Sequence, residues 1–404
     1  MENVNISKGR ELHFIGAAYV DGYLWTNALE WNGYYRVDIK TGKAEFLGLF
    51  DHADVLADKM FYQVLLYKKY IFFIPWFSDY LVRLDTKNLD TNYWKLPKCI
   101  VAEKAKFRAA NIHNGQIFMF PHLGDDICIF HIEEERFECD KKWISDYTVL
   151  ESVSNKDRFL QGCKKGKFVY LPNLGGSFLV KYDMERYESE MIVFPHKERK
   201  IIDIKEYGDN ELLILTWSGN IWKYNIYSMQ KEIVYKCREN DNNLQYSHIL
   251  LVKNILYLIP VNGKDVEELE RDKINKILYP IGWNLQYIDV GIDYVFLGYM
   301  ADENQFLLYP CKGNMLLRMK IGQKCFSGME IYEDSRNREK AIRKYLETNG
   351  ISEIINEPKA DLGLFLNCFT EKNRGKDEYM SGMYGVRIWS QMERGLKADE
   401  NCNL

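Results

Sequence analysis

An apolar six-residue run that ends in proline recurs along this chain. It reads YIFFIP at Tyr70–Pro75, QIFMFP at Gln116–Pro121 and KFVYLP at Lys167–Pro172, with a seven-residue version, NILYLIP, at Asn254–Pro260. Looser copies lie at Gly22–Asn27, Glu211–Thr216 and Asp293–Gly298. Short runs of aromatic and branched residues, each with a turn before it and a polar loop after it, have the pattern of buried strands. Their repetition constrains the fold more than any other feature. The last residues of the copies, at 27, 75, 121, 172, 216, 260 and 298, are 48, 46, 51, 44, 44 and 38 residues apart. That is the length of a four-stranded propeller blade.

Each unit divides in the same way. A first strand precedes the apolar run: Leu12–Tyr19, Met60–Tyr67, Phe107–Ile112, Arg158–Cys163, Ile201–Tyr207, Ser247–Leu251 and Leu285–Asp289. Hairpin residues such as Asp21-Gly22 and Asn114-Gly115 join it to the second strand. A third strand then ends in Asp38, Asp85 or Asp183, with Asn225 and His131 standing in for Asp in two units. A short polar side chain there accepts backbone N–H groups of the next turn. A more polar fourth strand follows. One such unit cannot bury both of its faces, so seven copies stacking radially give a seven-bladed β-propeller over residues 12–325. The charged run Lys264–Lys276 in the sixth unit is expected to be a solvated outer edge, with a blade irregular at the rim or carrying a helical insert as the sharper alternative. Residues 326–404 leave the repeat and read as a helical and irregular extension packing on the propeller. Its helix starts at Asp334-Ser335, and Ile388 and Trp389 are candidate contacts for a partner.

The segment Gly33–Gly42, GYYRVDIKTG, carries an aromatic third strand, a terminal Asp and a Thr-Gly turn. In these elements the units resemble the repeats of kelch and galactose-oxidase-like propellers. The resemblance implies that ligands or partners bind on the face bearing the loops between second and third strands and between blades.

A net charge of −4 provides no basic field for nucleic acid or an anionic membrane surface. No apolar run reaches the ~20 residues of a spanning helix. Nine scattered cysteines without a CxxC pair read as free thiols in a reducing cytoplasm, and no metal or cofactor is expected. On the expected loop face the candidate binding residues are Trp76, His122, Asn173, Trp217 and Tyr299, each placed just past an apolar run. Trp31, Arg108, Arg158, Asp203 and Trp283 join them from neighbouring loops and first strands. Aromatic rings beside Arg, Asp and amides suit protein hot spots and also sugar faces. No GxSxG, HExxH, P-loop or dinucleotide motif is present. The chain therefore reads as a non-catalytic scaffold that binds a protein partner. The alternative is a carbohydrate-binding or carbohydrate-active propeller, a lyase or hydrolase, using the same face for a glycan or small molecule.

Overall fold

The computed structural model describes residues 10–333, apart from residues 56, 102–104, 143–158, 174, 238–243, 262, 271–272 and 286–294. These residues form seven sheets, each built on four antiparallel strands in sequence order from first to fourth, and the sheet of the first blade carries two further short strands. The second strands are the proline-ended runs: Tyr70–Pro75, Gln116–Pro121, Phe168–Pro172 and Ile255–Pro260 are buried along nearly their whole length. Both faces of each run meet neighbouring blades, which explains why they read as continuous apolar stretches without alternation. The hydrophobic clusters confirm radial stacking. One joins blades 1 and 2 through Trp25, Tyr34, Phe61 and Phe73, and another joins blades 6 and 7 through Tyr257, Ile259, Phe306 and Leu317.

The hairpin chemistry follows the sequence. Asp21 and Gly22 take φ of 49° and 89°, and Asn114 and Gly115 take 46° and 73°, the left-handed pair that a tight hairpin needs. At the third-strand ends, Asp38 Oδ1 accepts the Lys40 N–H at 2.8 Å and Asp85 Oδ1 accepts that of Lys87 at 2.9 Å. Asn225 accepts from Tyr227 and Ser228 in the same way. His131 behaves differently from its expected turn role. Its ring bridges Gln116 Nε2 at 3.1 Å and Glu138 Oε2 at 3.0 Å, tying the second, third and fourth strands together.

Three expectations need correction. The seventh blade consists of Tyr299–Ala301, Gln305–Leu308, Met315–Lys320 and Ser327–Glu330. Its second strand belongs to the run Gln305–Pro310, QFLLYP, and not to Asp293–Gly298. The end of that run lies 50 residues past Pro260, within the spacing of the other units. In the sixth blade, Val266–Glu270 and Lys273–Ile277 are ordinary third and fourth strands in place of an irregular rim or a helical insert, and the charges of the latter form the expected solvated outer edge. Finally, the strands of the ring run past residue 325 to Glu333. Tyr332–Glu333 pairs in parallel with Lys43–Ala44, and Arg10–Glu11 pairs antiparallel with Tyr332–Glu333, so both ends of the ring meet on the first blade. The helix expected from Asp334 and the rest of the extension lie outside the described residues.

Backbone hydrogen bonds between consecutive blades reinforce the ring. Lys59 donates to the Leu29 carbonyl at 2.8 Å, Lys106 to Trp76 at 2.8 Å, Phe159 to Pro121 at 3.2 Å, Val295 to Val261 at 3.1 Å and Phe14 to Pro310 at 3.3 Å. Each links the residue entering one blade to the residue leaving the second strand of the blade before.

Candidate functional site at the axial mouth

The first strands enter, and the second strands leave, on one face of the ring. Four first strands break register there in the same place: between Phe61 and Gln63, Phe107 and Ala109, Ile201 and Asp203, and Tyr246 and His248. Each break is a bulge with one extra residue, respectively Tyr62, Arg108, Ile202 and Ser247. A bulge re-aims a side chain and shifts the strand's alternation by one. Those four residues, with Leu160, Gln161, Asp203, His248 and Leu297, line a cavity of about 20 Å³ between the blades. This space suits one water molecule and is far below ligand size.

The cavity wall is mostly apolar, with one cation. Arg108 lies 5.5 Å above the Tyr62 ring and 5.2 Å above that of Trp76. No carboxylate pairs with it among the described residues, and the two aromatic faces supply its charge stabilisation. Opposite, Asp203 is buried and accepts the Ile204 N–H at 2.9 Å, the Ile249 N–H at 3.0 Å and both of its contacts to Lys205 Nζ at 2.6 and 2.7 Å. Burial works to raise the Asp203 carboxyl, but the Lys205 charge and its donors hold it below the usual range. Lys205 is held above its usual value by Asp203, against the effect of burial. His248 Nδ1 lies 3.5 Å from Asp203, and neither ring nitrogen makes a well-aligned hydrogen bond among the described residues.

The candidate residues divide into those gathered at this mouth and those elsewhere. Arg108 and Asp203 line it, and Trp76, His122 and Tyr299 pack or act on residues of its wall. Trp76 is buried among Ile15, Leu29, Tyr62, Leu297 and Cys311, edge-on to Tyr62. His122 is buried with Nδ1 3.3 Å from the Phe159 carbonyl, and burial together with the Arg108 charge pushes its pKa down to about 3. Tyr299 sits 5.0 Å from Lys205 Nζ and 5.5 Å from the His248 ring. Trp31 packs instead on Phe46 and Tyr35 within the first blade. Asn173 is fully buried and its Oδ1 accepts the Gly175 N–H. Trp217 is half-buried under Lys200 at the contact of blades 5 and 6. Trp283 stacks on Tyr279 at 3.9 Å between blades 6 and 7. Arg158 lies outside the described residues.

Sequence reasoning missed Tyr62, Gln161 and Ser247. A signal was present: Phe14, Phe61, Phe107, Phe159, Ile201, Tyr246 and Phe296 occupy one position in the seven units, and the residue after each turns toward the axis in the bulged strands. The histidines His13, His122 and His248 do not converge. His13 Nδ1 meets Glu30 at 3.3 Å, while the other two have the separate surroundings given above. Among the described residues, side chains able to share a metal ion gather instead at Cys99, Asp126 and Cys139.

A larger concavity of about 360 Å³ lies on the outer strands of blade 4, lined by Lys167, Phe168, Lys181, Asp183, Arg186, Glu188, Ser189 and Glu190. Its charges are largely paired within the wall, Lys167 with Asp183 at 2.7 Å and Lys181 with Glu190 at 3.0 Å.

No family model matches the sequence, and no curated protein matches it. The fold does have solved counterparts. The chain is similar to a catalytically inactive variant of virginiamycin B lyase from Staphylococcus aureus, solved with quinupristin, at 13% identity and a TM-score of 0.56, over 80% of this chain and 98% of that one. It is similar to a streptogramin B lyase at 13% identity and a TM-score of 0.54, over 77% and 94% of the two chains. It is also similar to the computationally designed Ika8 protein at 9% identity and a TM-score of 0.52, over 80% and 91%. At these identities the likeness establishes a shared β-propeller fold.

Proposed function

We propose that the protein is a recognition scaffold that binds a protein partner at the surface of its propeller. The observation that carries this reading is the connection from blade 6 to blade 7. Leu278 is 57% exposed, Ile281 fully exposed and Leu285 48% exposed, beside the Tyr279–Trp283 stack. Single exposed apolar residues are ordinary, but three large ones within residues 278–285 make a patch suited to a partner's apolar side chains. None of the seven described cysteines is in a disulfide, in keeping with a reducing, cytoplasmic setting for this role. Affinity capture with Ile281→Asp and Leu285→Asp tests the proposal. The variants should fold as the wild type does and lose a protein that the wild type retains. An unchanged set of captured proteins would sink it.

A second reading is that the loop face around the axial mouth binds or acts on a small molecule, as a carbohydrate-active or lyase-type propeller. Arg108, which meets no carboxylate among the described residues, and His248, which lines the same cavity, are the features that favour this. Two of the similar propellers are lyases by name, so quinupristin and acidic oligosaccharides are suitable probes. Turnover of either, abolished in Arg108→Ala and His248→Ala, would favour this reading over the scaffold.

A further inference from the structure

Three segments of chain bring two thiols and a carboxylate together at the edge of blade 3. Cys99 sits in the short helix Lys98–Val101, which follows the last strand of blade 2. Asp126 immediately precedes the third strand of blade 3, Ile127–His131, and Cys139 lies in its fourth strand, Arg136–Asp140. The two sulfur atoms are 3.8 Å apart, and a carboxylate oxygen of Asp126 is within 4.8 Å of both.

We propose that Cys99, Asp126 and Cys139 form a site for a zinc-class divalent cation. The geometry fits such an ion. With Zn–S bonds of about 2.3 Å and tetrahedral angles, two ligating sulfurs are separated by about 3.8 Å. A disulfide would hold them at about 2.0 Å, so the two thiols stand at a ligand spacing and not at a bonding one. Two thiolates with one carboxylate form a donor set that selects zinc over magnesium or calcium, which take oxygen ligands. Cys99 is exposed and gives the ion a route from solvent, while Asp126 is buried. A fourth position is left for water. Cys128, the direct cross-strand partner of Cys139, places a third thiol behind the pair. Lys141 Nζ lies 3.5 Å from Asp126, but it is an exposed side chain in a weak contact that a divalent cation would displace. The ion would staple the connection between blades 2 and 3 to Arg136–Asp140, the outermost strand of blade 3 among the described residues.

The test uses the full chain, reduced, stripped with a chelator and titrated with Zn²⁺ alone. Competition with a chromophoric chelator reads the binding, and Co²⁺ in place of Zn²⁺ reports thiolate ligation by its charge-transfer absorption. The wild type should take up one equivalent. Cys99→Ser and Cys139→Ser should each lose it, Asp126→Asn should weaken it, and Cys163→Ser, a thiol of blade 4, should leave it unchanged. Because Cys99 is exposed, Cys99→Ser keeps the fold, which far-ultraviolet circular dichroism verifies. The site is overturned if the reduced wild type takes up no metal, or if uptake survives in both Cys99→Ser and Cys139→Ser. It is also overturned if the two thiols are isolated as a disulfide and, once reduced, bind no Zn²⁺.

Discussion

The phenol of Tyr35, in the third strand of blade 1, donates to Glu333 Oε2 at 2.5 Å, with both residues buried and 298 positions apart in the chain. This contact locks the closing strand Tyr332–Glu333 onto the first blade. Removing the acceptor in Glu333→Ala leaves a buried hydroxyl short of its partner, at a cost of ~1–3 kcal/mol. Urea unfolding followed by tryptophan fluorescence should show the midpoint fall with the slope unchanged. A chain ending at Glu330 loses the closing strand altogether and should unfold earlier than one ending at Ser335. Equal midpoints for these two chains would mean that the pairing adds nothing to closure.

Trp76 belongs to the packing of the ring first. Its ring is buried against Ile15, Leu29, Tyr62 and Leu297 and carries Arg108 above it. Trp76→Ala should therefore destabilise by ~3–5 kcal/mol, the usual cost of deleting a large core aromatic. Trp217 is only half-buried, so Trp217→Ala should cost distinctly less in the same chemical denaturation. The reverse ranking would return Trp76 to the list of surface contacts.

Much of the ring was legible in the sequence because buried strands that contact neighbours on both faces leave long apolar runs. The same physics concealed the seventh unit. Val295-Phe296-Leu297, entering the first strand of that blade, is as apolar as a second strand and buried in the same way. Period and composition cannot tell one from the other. The closing strands are two residues each, too short to leave a pattern. The axial residues were hidden for another reason: a bulge shifts the inward alternation by one position, so Tyr62, Arg108 and Ser247 do not fall where a regular strand would put them. The cluster of Cys99, Asp126 and Cys139 has no local spacing to find, since three separate segments supply it.

The Asp203–Lys205 pair should be costly to break from one side. Asp203 is buried and also accepts the backbone N–H groups of Ile204 and Ile249, thereby joining blades 5 and 6. Asp203→Ala strands a largely buried ammonium and two donors, and a loss of up to ~3–5 kcal/mol is expected. The double variant Asp203→Ala/Lys205→Met should recover part of that loss, because no uncompensated charge remains. A double variant no more stable than the single one would argue against the pair as the cause.

His122 gives the fold a pH dependence of known sign. Burial and the facing Arg108 cation push its pKa down to about 3, while the Phe159 carbonyl opposes them only in part. In the unfolded chain a histidine titrates near ~6.5. As pH falls, the unfolded chain binds the proton first, so the His122 contribution to stability is fully present above about 6.5 and is lost as pH drops toward 3. Between those limits the slope approaches ~1.4 kcal/mol per pH unit for this one group. Urea midpoints at about pH 7 and about pH 5, both above the range where most carboxylates titrate, should differ in the wild type and converge in His122→Gln. Arg108→Gln removes one of the two causes and should reduce the difference without abolishing it. A His122→Gln variant with the full wild-type pH dependence would assign the effect to another group.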